Sequence, residues 1–382
     1  MAQRPRLKKI GEWSLAIAVS LVVVEVMLQA AVRLGFTDLD LPGYSLRQAQ
    51  PFWQDIDADF GVWHPSDAVY RHSKSCFDVT YASNAHGMRD PDVAVASSAP
   101  RVIVLGDSFV EGWGLALGRR FTDRLTDLTG IAHLNFGAAG EFGSTQDYVL
   151  YKALASKFDH RAVILAILPE NDFLDDAPAP SRLRAGARHR PYLIGTYPDY
   201  RIEYPAGPWS PEKPWSWYAK NVLREFWLTY RAADHGIALL QQAIAFWRKA
   251  KTFDPLHSYY FDFKPEEFDR LRYAIEQIKA LASDRPFLIL TVPVEMDYRR
   301  AAVAGTPPPL TRKLTELSAR LGITYIDLLQ AMNESDREKY FLACDPHWSE
   351  SGHAQAAAAN AEWSFYRREN EALARSTDPP LR

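Results

Sequence analysis

The chain has 382 residues, 47% hydrophobic and 24% charged, the balance of an ordinary globular protein long enough to bury a full core. Its formal net charge of −3 comes without a basic stripe, which argues against a nucleic-acid binder. The ten His show no H-E-x-x-H or comparable ligand spacing, and no P-loop or dinucleotide fingerprint occurs, so no metal or other cofactor is implied.

Residues 13–34 read WSLAIAVSLVVVEVMLQAAVRL, with charge only at Glu25 and Arg33. As a helix this run spans about 33 Å, close to the hydrocarbon thickness of a bilayer. Arg4, Arg6, Lys8 and Lys9 precede it, and Asp38, Asp40, Asp55, Asp57 and Asp59 follow. The positive-inside rule therefore keeps residues 1–12 cytoplasmic and sends the remainder across. The expectation is a single-pass signal anchor in a cytoplasmic membrane. A cleaved signal peptide is the rival reading, but the run is long for an h-region and no small-x-small site closes it before Glu25. A core helix is the third reading, which the flanking charges oppose. Glu25 is costly in lipid and calls for a partner.

Residues 35–100 carry aromatics, Asp and Pro without helical periodicity and end in Ser97, Ser98 and Pro100, as expected of a β-rich prelude and linker. From 101 the rhythm changes. RVIVLGDS is a buried parallel strand, 118–129 suits a helix, IAHLNFG is a second strand, and 144–156 a second helix. RAVILAILPEND is a third strand, RPFLILTVP a fourth, 310–321 a helix, ITYIDL a fifth strand, and 349–372 one long Ala-rich final helix. This alternation predicts an α/β sandwich around a parallel sheet over 101–372. The stretch 175–260 breaks the rhythm. Rich in Trp and Pro and ending in a helix over 221–247, it reads as an insertion between the third and fourth strands, placed at the mouth of the site. Cys76 and Cys344 are the only cysteines, and the sequence leaves open whether they pair.

Ligands of open parallel sheets bind outside the carboxyl ends of the strands, so the polar residues after each apolar run are the informative ones. Four sets stand there. Gly106-Asp107-Ser108 puts a hydroxyl at a strand-to-helix turn, which suits a nucleophile whose own N–H also faces an oxyanion. Asn135 to Gly140 follows the second strand, and Gly140 permits close approach of a backbone N–H. Asn171-Asp172 follows the third, where a side-chain amide can donate to developing negative charge. Asp345-Pro-His347-Trp precedes the last helix and pairs a base with a carboxylate. His353 competes with His347 as base but falls inside the expected final helix, so His347 is preferred. Each set alone is also an ordinary turn or helix cap.

As an ordered series the four resemble the SGNH (GDSL) hydrolase family over roughly residues 84–365, with 175–260 unmatched. The run Asn84-Ala-His-Gly-Met-Arg-Asp90 followed by GDSFVEGWG is similar to a bacterial, membrane-anchored branch. The resemblance implies a flavodoxin-like, three-layer sandwich on a roughly five-stranded parallel sheet. It implies Ser108 as nucleophile, His347 as base, Asp345 as its orienting partner, and an oxyanion hole from Ser108, Gly140 and Asn171. Pro169 stands where the family has Gly, and Asp345 precedes His347 by two residues rather than the family's usual three. The shorter Asp-x-His-Trp form resembles relatives that modify polysaccharide O-acetyl groups.

The function so implied is an extracytoplasmic serine esterase acting on O-acetyl or short acyl esters of a glycan, lipid or small molecule. One alternative is an O-acetyltransferase that uses the same acyl-enzyme, with Trp209, Trp215 and Trp217 as sugar platforms. Another is a non-catalytic envelope-binding module with a relict site. The implied partners are the ester substrate and a membrane through residues 13–34, with no nucleic acid; the sequence names no protein partner.

Overall fold

The computed structural model of the chain describes residues 4–37, 52–185, 187–210, 212–249, 256–332 and 334–377. Asp38 and Asp40 of the expected charge flank, most of 35–51 in the prelude, and Gly186, Pro211 and 250–255 of the insertion lie outside the described residues. The chain divides into two compact units.

The larger unit comprises Phe52–Val69, Tyr81–Pro211 and Pro255–Arg382. Its centre is a five-stranded parallel sheet of β1 (Arg101–Gly106), β2 (Ala132–Gly137), β3 (Ala162–Ile167), β4 (Phe287–Thr291) and β5 (Thr324–Asp327), in the order β5-β4-β3-β1-β2. Side chains alternate between the two faces of a strand, so a strand buried on both sides must be apolar at every position. Thus Ile103, Leu105, Val163, Leu165 and Ile289 pack on one face with Leu150, Leu271, Ile275, Leu314 and Leu317 from the helices Ser144–Ala153, Pro265–Ala282 and Pro309–Leu321. Val102, Val104, Ile164, Leu288 and Leu290 pack on the other with Phe121, Leu125, Ala356, Ala357 and Tyr366 from Phe121–Thr129, Glu350–Ala361 and Ser364–Thr377. Each such side chain contributes about 1.5–3 kcal/mol on burial. The result is the expected three-layer α/β sandwich.

Three local expectations are corrected. The final helix is two, Glu350–Ala361 and Ser364–Thr377, because the chain breaks at Glu362 and Trp363 to bury Trp363, Phe365 and Tyr366 in the second core. The helix expected over 221–247 is also two, since Trp227 is extended between Trp215–Phe226 and Leu228–Lys249. Two helices, Pro265–Ala282 and Glu295–Ala304, occupy sequence for which no element was expected. In the former, Pro265 opens the first turn and Phe268, Leu271, Ile275 and Ile278 form its buried stripe.

The smaller unit comprises Met1–Pro51, Tyr70–Thr80 and Glu212–Asp254. It holds the N-terminal helix Arg4–Arg33 and the helices Trp215–Phe226 and Leu228–Lys249. Within Arg4–Arg33, residues Gly11–Arg33 are long and apolar enough to cross a membrane. Of the stretch 175–260, the 175–210 part belongs to the larger unit and the 212–254 part to the smaller.

Candidate active site

Strand β1 is flanked by β2 on one side and β3 on the other, so the chain reverses its direction of travel across the sheet at β1/β3. A crevice opens at the carboxyl ends of strands at such a point. β1 leaves it through Gly106, whose φ of +152° disfavours a side chain and where a Cβ would meet Val110 Cγ2 at 2.5 Å. Asp107 caps the short helix Ser108–Glu111 by accepting the Phe109 N–H at 2.9 Å, which makes Ser108 its first residue.

Ser108 Oγ lies 2.7 Å from His347 Nε2, although 239 residues separate them. His347 Nδ1 faces Asp345 Oδ1 at hydrogen-bond contact, and the His347 backbone N–H donates to the same oxygen at 3.0 Å. A carboxylate only accepts, so Nδ1 carries the imidazole proton and Nε2 presents a lone pair to the serine hydroxyl. Asp345 and His347 lie on a strand, Asp345–Trp348, that pairs with Phe341–Leu342. Ser349, next in the chain, caps the following helix by accepting the Gly352 N–H.

Trp113 was not singled out from the sequence. Its indole N–H donates to Asp345 Oδ2 at 3.2 Å, and its ring stacks on His347 with centroids 5.0 Å apart. Phe109 packs on the same imidazole at 4.9 Å. Trp53 stacks on Trp113 at 5.1 Å and donates to Glu111 Oε2 at 2.9 Å. That same oxygen accepts the Ala139 N–H at 2.6 Å. Glu111 is fully buried, with His64 Nε2 3.6 Å from its other oxygen. Burial alone would raise its pKa, but His64, Arg89 and Trp53 outweigh that and hold it below the usual carboxylate range. Its signal in the sequence is a charged residue between Val110 and Gly112 in a buried turn.

The run Asn84–Asp90 supports the helix Ser108–Glu111. Asn84 Oδ1 accepts the N–H groups of His86 and Met88, and this turn aims the buried Arg89 at the helix C-terminus. There Arg89 donates to the carbonyls of Glu111 and Gly112 at 2.8 and 2.7 Å, and to that of Leu115. A cation suits that end of a helix, whose carbonyls lack intrahelical donors.

With Ala139 tied to Glu111, the next backbone N–H is that of Gly140, whose φ of +105° favours glycine. No hydrogen bond takes up the N–H of Gly140 or of Ser108 among the described residues. Asn171 is the third residue of helix Pro169–Asp175, in which Pro169 takes the first position, where no N–H is needed. Its amide lies beside Asp107. Burial pushes the Asp107 carboxyl up to about 6, against the Phe109 N–H, His347 and the Asn171 amide. Beneath the turn, burial followed by neighbouring carboxylates pushes Asp147 and Asp172 well above the usual range. Burial also outweighs Arg190, 3.4 Å from Asp175, and raises Asp175 to about 6.

His353 is placed elsewhere. Its Nδ1 accepts the Phe121 N–H at 3.0 Å, and burial pushes its pKa down to about 3, so it is neutral and engaged. Of the three candidate sugar platforms, Trp209 packs against His189 in the larger unit, and Trp215 and Trp217 ride on a helix of the smaller one. A cavity of about 300 Å³ is lined by Glu295 and the 341–346 segment; Ser108 is not among its lining residues. No group of His, Cys, Asp and Glu that could hold a metal ion occurs among the described residues, and neither cysteine is a free thiol.

No family model and no curated relative matches the sequence. Solved structures do. A member of the lipolytic protein G-D-S-L family from Veillonella parvula is 14% identical, over 70% of this chain and 99% of that one, with a TM-score of 0.38. A lipase/acylhydrolase from Enterococcus faecalis is 13% identical, over 70% and 96%, at 0.37. A carbohydrate esterase family 2 enzyme from Corynascus thermopiles is 11% identical, over 73% and 69%, at 0.36. Likeness this distant assigns no residue a role; the chemistry rests on the geometry above.

Proposed function

We propose that the protein is a membrane-anchored serine esterase cleaving short acyl esters through an acyl-enzyme. The observation that carries this reading is the 2.7 Å contact of Ser108 Oγ with His347 Nε2, with Asp345 behind the imidazole. As Ser108 Oγ attacks the ester carbonyl, its proton passes to Nε2, and the resulting imidazolium is stabilised by Asp345 and the Trp113 ring face. The N–H groups of Ser108 and Gly140 and the Asn171 amide receive the oxyanion. Collapse returns the proton to the departing alkoxide and leaves Ser108 acylated. Water then repeats the cycle with His347 as base, releasing the acid and restoring the hydroxyl.

Ser108→Ala should abolish both aryl-acetate hydrolysis and labelling by a fluorophosphonate, because it removes only one hydroxyl from a helix start. Persistent labelling would place the nucleophile elsewhere. The anchor reading is supported by the apolar Gly11–Arg33 segment, and its basic N-terminal flank favours a catalytic unit outside the cytoplasm. Alkaline phosphatase fused at the C-terminal end should be active, and an inactive fusion would reverse the orientation.

A further inference from the structure

The sequence leaves Glu25 as a carboxylate in an apolar helix, where an uncompensated charge is costly in lipid. The structure supplies its partners, all within the smaller unit. Glu25 Oε1 accepts the Leu228 N–H at 2.9 Å, and Oε2 accepts the Thr229 N–H at 2.8 Å and the Thr229 hydroxyl at 2.9 Å. Gln29, one turn on, donates to Glu25 at 2.8 Å and to the Phe226 carbonyl at 3.4 Å. Glu25 thus caps the helix Leu228–Lys249 from outside its own segment. It meets two first-turn N–H groups that have no intrahelical acceptor, at the positive end of the helix dipole.

This cap sets a depth. Glu25 precedes Arg33, the last residue of the apolar segment, by two turns, or about 12 Å. If Gly11–Arg33 spans the bilayer, the junction at Trp227 and Leu228 lies inside the leaflet on the Arg33 side. The side chains there suit that depth. Ile237, Leu240 and Ile244 are 56, 61 and 45% exposed and fall on one helical face. Trp215 is 82% exposed, and Trp227 and Leu223 are exposed too. Such a face is costly in water, and the exposed Trp215, at the other end of its helix from that junction, suits a membrane interface. Of the charged groups nearby, Arg231 is satisfied internally, donating to the carbonyls of Arg224 and Glu225 and pairing with the Glu225 carboxylate.

Resting on the anchor reading, we infer that the helices Trp215–Phe226 and Leu228–Lys249 are seated in the lipid of the outer leaflet, with Glu25 as the clasp that holds them to the span. Acyl chains, not sugar, are the partner of this aromatic segment.

The test uses the full chain in phosphatidylcholine vesicles with single nitroxide labels on cysteines introduced at Ile237, Leu240 or Ile244. The native cysteines offer no free thiol to compete. Val19 in the span and Leu128 on the sheet unit, both exposed, are the reference sites. Collision with oxygen reports lipid, and collision with a water-soluble nickel chelate reports water. The expected result is an oxygen-to-nickel ratio at the three positions equal to that at Val19 and far above that at Leu128. A water-like ratio at the three positions with Val19 still in lipid overturns the inference and leaves the anchor standing. Protection from both colliders means a protein partner and overturns it as well. A water-like Val19 removes the anchor and the inference together. Glu25→Ala should shift the Leu240 label towards water while Val19 stays in lipid; an unchanged Leu240 refutes the clasp.

Discussion

Glu111 offers a sharp test of how the site is held. Both of its hydrogen bonds, from Trp53 and from Ala139, end on one oxygen, Oε2, and the other oxygen faces His64 Nε2. His64 Nδ1 lies 2.7 Å from the Gly87 carbonyl and carries a proton there, so Nε2 is the ring nitrogen that faces Glu111. Glu111→Ala removes two bonds to a charged acceptor, each worth about 1.5–3 kcal/mol, and strands the buried Ala139 N–H. Breaking a buried pair in this way costs about 3–5 kcal/mol, a large share of a typical total of 5–15. Glu111→Gln can place its carbonyl where Oε2 stands and its NH₂ towards His64, and should lose only about 1–2 kcal/mol. Activity should split in the same way. Without Glu111 the Ala139–Gly140 loop and the Trp53–Trp113 stack lose their tether, and kcat should fall by about 10²–10³, the loss expected for one oxyanion donor. The Gln variant should stay within about tenfold of the parent. Urea unfolding followed by circular dichroism, with aryl-acetate kinetics on the same samples, measures both. Equal behaviour of the two variants, or a loss below about 0.5 kcal/mol in the Ala variant, would refute the tether. The pH dependence supplies a sign. A depressed folded pKa stabilises fully above the unfolded value of about 4.3 and is lost as pH falls through the folded one, so this component of acid sensitivity should vanish in Glu111→Gln.

His347→Ala should lower kcat by roughly three to six orders of magnitude. His353→Ala should cost stability but change the rate by less than about tenfold, and the opposite ranking in steady-state assays would reassign the base. Trp113→Phe keeps a ring on His347 and deletes the N–H to Asp345, so kcat should drop about ten- to a hundredfold with KM nearly constant. A pure KM effect would contradict that role. Asp147, raised by burial and by its carboxylate neighbours, binds its proton more tightly folded than unfolded. Stability is therefore lost as pH rises from the unfolded value of about 3.9 towards the folded pKa, and the penalty disappears below about pH 3.9. Asp147→Asn should raise Tm at pH 7.5, with the gain fading towards pH 4; thermal scans with no pH-dependent gain would argue against a strained carboxylate.

The sequence by itself determined the layered fold, because a strand buried on both faces is largely apolar, and the runs at 101–106, 162–167 and 287–291 show this without any partner, alternating with helical stretches. It also pointed to Ser108, because ligands of a parallel sheet collect where its strands end, and to Asp345 and His347, because a carboxylate and an imidazole stand two residues apart just before the last helices. What it could not contain was the contact between segments. Whether Ser108 meets His347 or His353 is decided by the Phe121 N–H, which engages His353 from a helix 232 residues away. Trp53 and Glu111 reach each other across 58 residues, and the four-residue helix bearing Glu111 is too short to show any periodicity. The final helix breaks because Trp363 is drawn into a core that its neighbours in sequence do not define. Glu25 is the clearest case: in the chain it is an anomaly within an apolar run, and only the first turn of a helix more than 200 residues away makes it a cap. Local periodicity records which face of an element avoids water, while the partner that covers that face is settled by tertiary packing alone.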